Sequence, residues 1–262
     1  MDKQYVNLFL EPIKECLNYK PKFGNASKQD GYSLEDFLEL YGSDPFYSWI
    51  GLNNPILYTA HKAAGGMTSI YRQIGIGCER LFRRIIIDST MYESEESAHW
   101  SYTTKTKSGK DKVLSLDGRL EIKDIVNPLV KSKVENWVDS YCDDLGVEKE
   151  GIKGAVFEVR QGYKSKDSKR QNGDIDNIAV AYAMRYLPVI TVFSSQIDND
   201  IVIRYRSNRS AIIIGSLVGD SKASLFTFCK DVLDYDLAAF FKRNSPVIKQ
   251  EMVKVFKAII QQ

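Results

Sequence analysis

The sequence predicts a mixed α/β fold, a central mixed β-sheet flanked by helices with additional helices at both ends. Three observations predict it. Short apolar runs alternate with stretches of helical period along the chain. Residues 154–194 read as strand, polar loop, helix and strand, the crossover that builds a parallel or mixed sheet. A helix and a hairpin precede that unit, which gives the order α-β-β-β-α-β.

The elements follow in chain order. Residues 1–34 predict a short helix and then a linker-like stretch over 19–34, and the whole chain, 1–262, reads as one domain. Ile74, Cys78, Leu81, Phe82, Ile85 and Ile86 recur at three- and four-residue steps and predict an amphipathic helix. Residues 100–106 and 113–122 predict two strands joined by a charged, Gly-containing turn at 107–112. Residues 125–145 predict a helix with Val126, Leu129, Val130, Val134, Trp137, Val138 and Tyr141 on one broad apolar face. Strand 154–161, a helix around 175–186 and strand 188–194 form the crossover. Residues 201–206 and 211–214 predict further short strands, and 231–242 and 246–260 two closing helices.

Composition narrows the function classes. With 44% apolar residues the chain can bury a sizeable core. No apolar run approaches the length of a membrane span, and no basic-then-apolar leader is visible, so a cytoplasmic protein is expected. Cys16, Cys78, Cys142 and Cys229 are widely spaced with no Cys-x-x-Cys, which predicts isolated reduced thiols rather than a zinc site or a disulfide framework. His61 and His99 are the only histidines, too few for histidine-based chemistry. The net charge of +2, from 36 basic and 34 acidic residues, excludes a polybasic nucleic-acid coat but allows a local basic patch.

Such a patch exists. Arg160, Lys164, Lys166, Lys169 and Arg170 place five positive charges in eleven residues against one acid, Asp167. Gln171 and Asn172 follow at the start of a helix, where free N–H groups attract phosphate. These are side chains that bond phosphates and read base edges. The plain alternative is a solvated charge run.

Two carboxylates interrupt apolar strands. Glu158 lies inside the strand at 154–161, and a carboxylate there is costly unless it is paired or binds a cation. Arg160 points to the same face, so an ion pair is the simple structural account. Asp117 interrupts the preceding strand just before Gly118. Together the two acids make a candidate pair for a hard divalent cation, Mg²⁺ by preference, because every ligand at hand is oxygen.

An acid on one strand, an acid-x-basic triplet on the next, then a helix and a strand, resembles the PD-(D/E)XK nuclease superfamily. The stretch EVRQGYKSKDSKRQNGDIDNIAVAYAMRYLPVITVFSSQID strongly resembles bacterial type II restriction endonucleases. AGGMTSIYRQIGIGCERLFR, LSLDGRLE and DLAAFFKRNS are also family-like, and the resemblance covers most of residues 55–245. It implies a restriction-endonuclease-like core and Mg²⁺-dependent, sequence-specific hydrolysis of double-stranded DNA. It implies that Asp117 and Glu158 hold the metal, with Glu79 on the preceding helix touching it through water; an ordinary helix acid beside Arg80 and Arg83 is the alternative for Glu79. The family's third residue is a lysine, and here it is Arg160, which cannot easily act as a base but can hold the scissile phosphate. Lys164 is the other basic candidate. DNA-binding candidates are Lys166, Lys169, Arg170, Gln171 and Asn172, then Met67, Arg72 and Gln73, for which ordinary helix-start chemistry is the alternative. A palindromic site calls for a homodimer, and host DNA would need protection by a cognate methyltransferase. A structure-selective nuclease of the same fold and a non-catalytic DNA-binding module stay open beside this reading.

Overall fold

The computed structural model describes residues 1–23, 31–105, 108–163 and 168–260. Its helices are α1 Asp2–Lys14, α2 Leu34–Gly42, α3 Pro45–Trp49, α4 Pro55–Thr90, α5 Pro128–Leu145, α6 Ser168–Ala183, α7 Asn199–Ser207, α8 Leu225–Asp231 and α9 Leu237–Ile260. Its strands are β1 Trp100–Lys105, β2 Asp111–Leu116, β3 Gly118–Glu121, β4 Gly154–Arg160, β5 Leu187–Val192 and β6 Ala211–Ile214. The chain forms two compact units, Met1–Gly77 with Asn244–Gln262, and Cys78–Arg243.

In the first unit α1 buries Tyr5, Val6, Phe9, Leu10 and Ile13. Ser33 and Asp36 cap α2 reciprocally, and Phe23, Tyr32, Phe37 and Tyr58 form a buried aromatic cluster. Gly65 and Gly66 do not break α4, because close neighbours need them: a Cβ at Gly65 would stand 2.2 Å from the Tyr19 hydroxyl, and one at Gly66 2.7 Å from Ile259. The helix therefore begins at Pro55, well before Ile74. Met67, Arg72 and Gln73 lie inside it and not at a helix start.

The second unit holds a four-stranded mixed sheet in the order β3-β4-β5-β6. β3 and β4 are antiparallel, whereas β4–β5 and β5–β6 are parallel. The parallel pairs are joined through α6 and α7, as a crossover requires. Alternation along β4 separates two faces. Phe157 packs against Phe82, Trp137 and Phe228 from α4, α5 and α8. On the other face Val156 joins Trp100, Leu116, Ala181 and Tyr186. Beside it Ile190, Val192 and Ile212 pack on Ile178, Ile201 and Tyr205.

Three expected elements change. The strand at 113–122 splits at Asp117 into β2, which pairs with β1 in a separate hairpin, and β3, which pairs with β4. Residues 201–206 are not a strand but belong to α7. IVIRYR alternates like a strand, yet Asp198 accepts from Asp200 N–H as an N-cap, and Ile201 and Tyr205 fall one helical turn apart on the buried side. The last helix is continuous through Pro246 from Leu237 to Ile260, so no break separates two closing helices. Pro246 forfeits one helical hydrogen bond, and buried Leu237, Phe240, Val255 and Ile259 anchor the helix on both sides of it.

All four cysteines are free and buried. Among the described residues no helix is long and apolar enough to cross a membrane.

Candidate active site

The site grows from the end of β4. Gly118 pairs with Phe157 in the last rung between β3 and β4. One step further Asp117 continues the contact in another way: its N–H donates to the Phe157 carbonyl at 2.8 Å, and its Oδ2 accepts from the Val159 N–H at 2.7 Å. A carboxylate thus takes the place of the next backbone acceptor, which explains why the long predicted strand breaks there.

Asp117 is held from α4 as well. Arg83 Nε donates to the Asp117 carbonyl at 2.9 Å, and Arg83 Nη2 pairs with Glu79 Oε1 at 2.7 Å. Glu79 is therefore half-buried beside Asp117 and engaged by Arg83, one of the two arginines that its plain alternative named. Burial, and then the charge of Glu79, push the Asp117 carboxyl up to about 6, against the lowering pull of the Val159 N–H, Arg160 and Arg83.

Glu158 and Arg160 lie on the α6-facing side of β4, the side that Val156 shares. Arg160 Nη2 pairs with Glu158 Oε1 at 2.7 Å and with Asp174 Oδ1 at 2.6 Å. Asp174 Oδ2 in turn accepts from the Tyr205 hydroxyl at 2.6 Å and the Tyr163 hydroxyl at 3.1 Å. Burial would pull the Arg160 guanidinium down, but Glu158 and Asp174 beside it raise it above its ordinary value. Arg160 is a permanent cation here, not a proton acceptor. Burial, and then Asp174, push the Tyr163 phenol up to about 12.

The remaining candidates fall in different places. Lys164 and Lys166 lie outside the described residues. Lys169 and Arg170 belong to the first turn of α6, and their side chains are likewise outside what is described. Gln171 is buried, with its Oε1 accepting from Arg204 Nη1 at 2.8 Å. Asn172 Oδ1 accepts from Arg204 Nη2 at 2.5 Å. Each amide carbonyl thus already accepts one internal hydrogen bond, Gln171 from a buried position and Asn172 from an exposed one. Met67, Arg72 and Gln73 belong to the first unit, where Gln73 Nε2 donates to Glu15 at 3.4 Å.

Asp174, Tyr205 and Arg204 were not foreseen. Asp174 had a faint signal, because it lies one helical turn before Ile178 on the inner face of α6. Tyr205 and Arg204 had none while their segment read as a strand.

Among the described residues no group of three or more His, Cys, Asp or Glu is arranged to hold a metal ion. The donor set is all oxygen, which suits a hard cation, while Glu79 is paired with Arg83 and Glu158 with Arg160. Mg²⁺ is commonly held by only one or two carboxylates together with substrate phosphates. No family model, curated protein or solved structure matches the chain.

Proposed function

We propose that the chain is a type II restriction endonuclease with a PD-(D/E)XK core, which hydrolyses phosphodiester bonds in double-stranded DNA at a specific sequence with Mg²⁺. The observation that carries the reading is the juncture of Asp117 with β4, where its carboxylate bonds the Val159 N–H between Glu158 and Arg160. Acid, antiparallel strand with acid-x-basic, helix and parallel strand follow one another in the expected order.

Asp117 and Glu158 would hold Mg²⁺, with Glu79 behind them. When bound, the ion supplies positive charge against the scissile phosphate and the leaving oxygen. The protein's own groups do the rest. The guanidinium of Arg160 stays charged and steadies the negative charge that builds on the phosphoryl oxygens. Arg83 fixes Asp117 through its carbonyl and Glu79 through its carboxylate, so both acids are oriented before substrate arrives. The basic run from Arg160 to Arg170 supplies phosphate contacts. A homodimer on a palindromic site, and host DNA shielded by a cognate methyltransferase, belong to the same reading.

One observation favours a second reading. Glu158 already has a partner in Arg160 at 2.7 Å, as a non-catalytic DNA-binding module would require. Cleavage separates the two: the nuclease cuts DNA into discrete fragments with Mg²⁺ and loses this with Glu158→Ala, whereas the module binds DNA without regard to Mg²⁺ or to either acid.

A further inference from the structure

Arg160 is held unusually for a residue that must meet a substrate. A single nitrogen, Nη2, lies between two carboxylates, at 2.7 Å from Glu158 and 2.6 Å from Asp174. Only 12% of its side chain is exposed. Its Nε is buried and has no hydrogen-bond partner among the described residues. Buried donors are seldom left so, and an exception calls for an explanation.

Asp174 is the more deeply anchored of the two carboxylates, with 4% of its side chain exposed against 13% for Glu158. Both its oxygens are in use, Oδ1 by Arg160 and Oδ2 by the hydroxyls of Tyr205 and Tyr163. Those hydroxyls lie 2.6 Å from each other, and Tyr205 is fully buried in the core between β5, β6 and the helices. The chain of contacts therefore runs from the core through Tyr205 and Asp174 to Arg160.

We propose that Asp174, braced by Tyr205, is a positioning residue that keeps the Arg160 guanidinium in place when Glu158 turns to a cation. Its catalytic consequence rests on the nuclease reading. The physical need is clear. If Glu158 were the sole partner of Arg160, its departure toward a metal would leave the guanidinium unpaired and free to turn. A second, immobile carboxylate removes that freedom, and it explains how an arginine can serve in a position where the resembled family has lysine.

The experiment uses the full chain and two readouts. The first is side-chain ¹⁵N NMR of the arginines, with the Arg160 Nε–H signal identified by its loss in Arg160→Lys. Rotation about the Arg160 Cζ–Nη bonds should be slow in the wild type and roughly tenfold faster in Asp174→Asn, which keeps an acceptor for Tyr205 but removes the charge that holds the guanidinium. The second is cleavage of plasmid DNA with Mg²⁺ beside DNA affinity measured with Ca²⁺. Asp174→Asn should lower the cleavage rate roughly 10²-fold while Kd stays within about threefold, and Asp174→Glu should recover part of the rate. If Asp174→Asn does not fold, Tyr205→Phe takes its place and should also speed the rotation. Unchanged rotation in the variant that folds overturns the proposal, as does a loss of cleavage that only tracks the folded fraction. Faster rotation in a chain whose wild type never cuts DNA upholds the positioning role and rejects the nuclease reading.

Discussion

The Asp117 carboxylate accepts the Val159 backbone N–H at 2.7 Å, so the ladder between β3 and β4 ends on a side chain rather than on a carbonyl. That bond favours the charged carboxylate, but burial and the nearby Glu79 outweigh it and cost stability, raising the Asp117 pKa in the folded chain from 3.8 to about 6. The folded state therefore binds this proton more tightly than the unfolded one. The contribution of Asp117 is most favourable below about pH 4 and is lost as the pH rises through about 6. Asp117→Asn keeps the acceptor for Val159 and removes the charge. We expect it to raise stability at pH 8 by on the order of 2 kcal/mol in chelator, and to flatten the pH dependence between 4 and 6. Urea denaturation at pH 5 and pH 8 reads both effects, and a less stable variant at pH 8 would count against this account.

The Glu158–Arg160–Asp174 cluster predicts unequal costs for its members. Arg160→Ala removes the cation between Glu158 and Asp174 and should cost about 3–5 kcal/mol. Glu158→Gln leaves Arg160 its pair with Asp174 and should cost about 1–2 kcal/mol. Urea midpoints compare the two, and equal losses would show that Asp174 does not secure Arg160.

The start and the centre of β4 are fixed by packing. Gly154 has φ +148°, and a Cβ there would stand 1.9 Å from the Leu120 carbonyl oxygen, so Gly154→Ala should cost more than about 3 kcal/mol. Phe157→Ala empties the space between Phe82, Trp137 and Phe228 and should cost about 3–5 kcal/mol. Thermal melting of each variant checks these values.

Arg204 holds the amides of Gln171 and Asn172 with its two Nη groups. Arg204→Ala leaves a buried Gln171 carbonyl unpaired, so it should cost about 1–3 kcal/mol. On the nuclease reading it also loosens the first turn of α6. Digestion of a plasmid library should then show cutting at sites the wild type ignores, and an unchanged fragment pattern would remove α6 from recognition.

The central part of the sheet was legible because its residues carry their environment in their own pattern. In β4 an unbroken apolar run contains a carboxylate and an arginine two residues apart, which puts both on one face. Asp117 was legible for the same reason, although the strand break it causes was not: a side chain that replaces a ladder carbonyl leaves no mark in periodicity. Asp174 and Tyr205 were hidden because their meeting is a tertiary event between α6 and α7. The segment 201–206 reads equally well at period two, and only the Asp198 cap and the burial of Ile201 with Tyr205 decide for a helix. What Gly65 and Gly66 of α4 accommodate, Tyr19 and Ile259, lies far away in the chain and is equally invisible in local pattern.

The central claim is that Asp117 and Glu158 serve Mg²⁺-dependent cutting of DNA, and digestion of plasmid DNA by the purified full chain tests it most directly. The account predicts discrete fragments with Mg²⁺, none with chelator, and none from Glu158→Ala or Asp117→Asn, both of which should still bind DNA. Absence of cleavage across varied DNA substrates, or cleavage that survives unchanged in both variants, would contradict it.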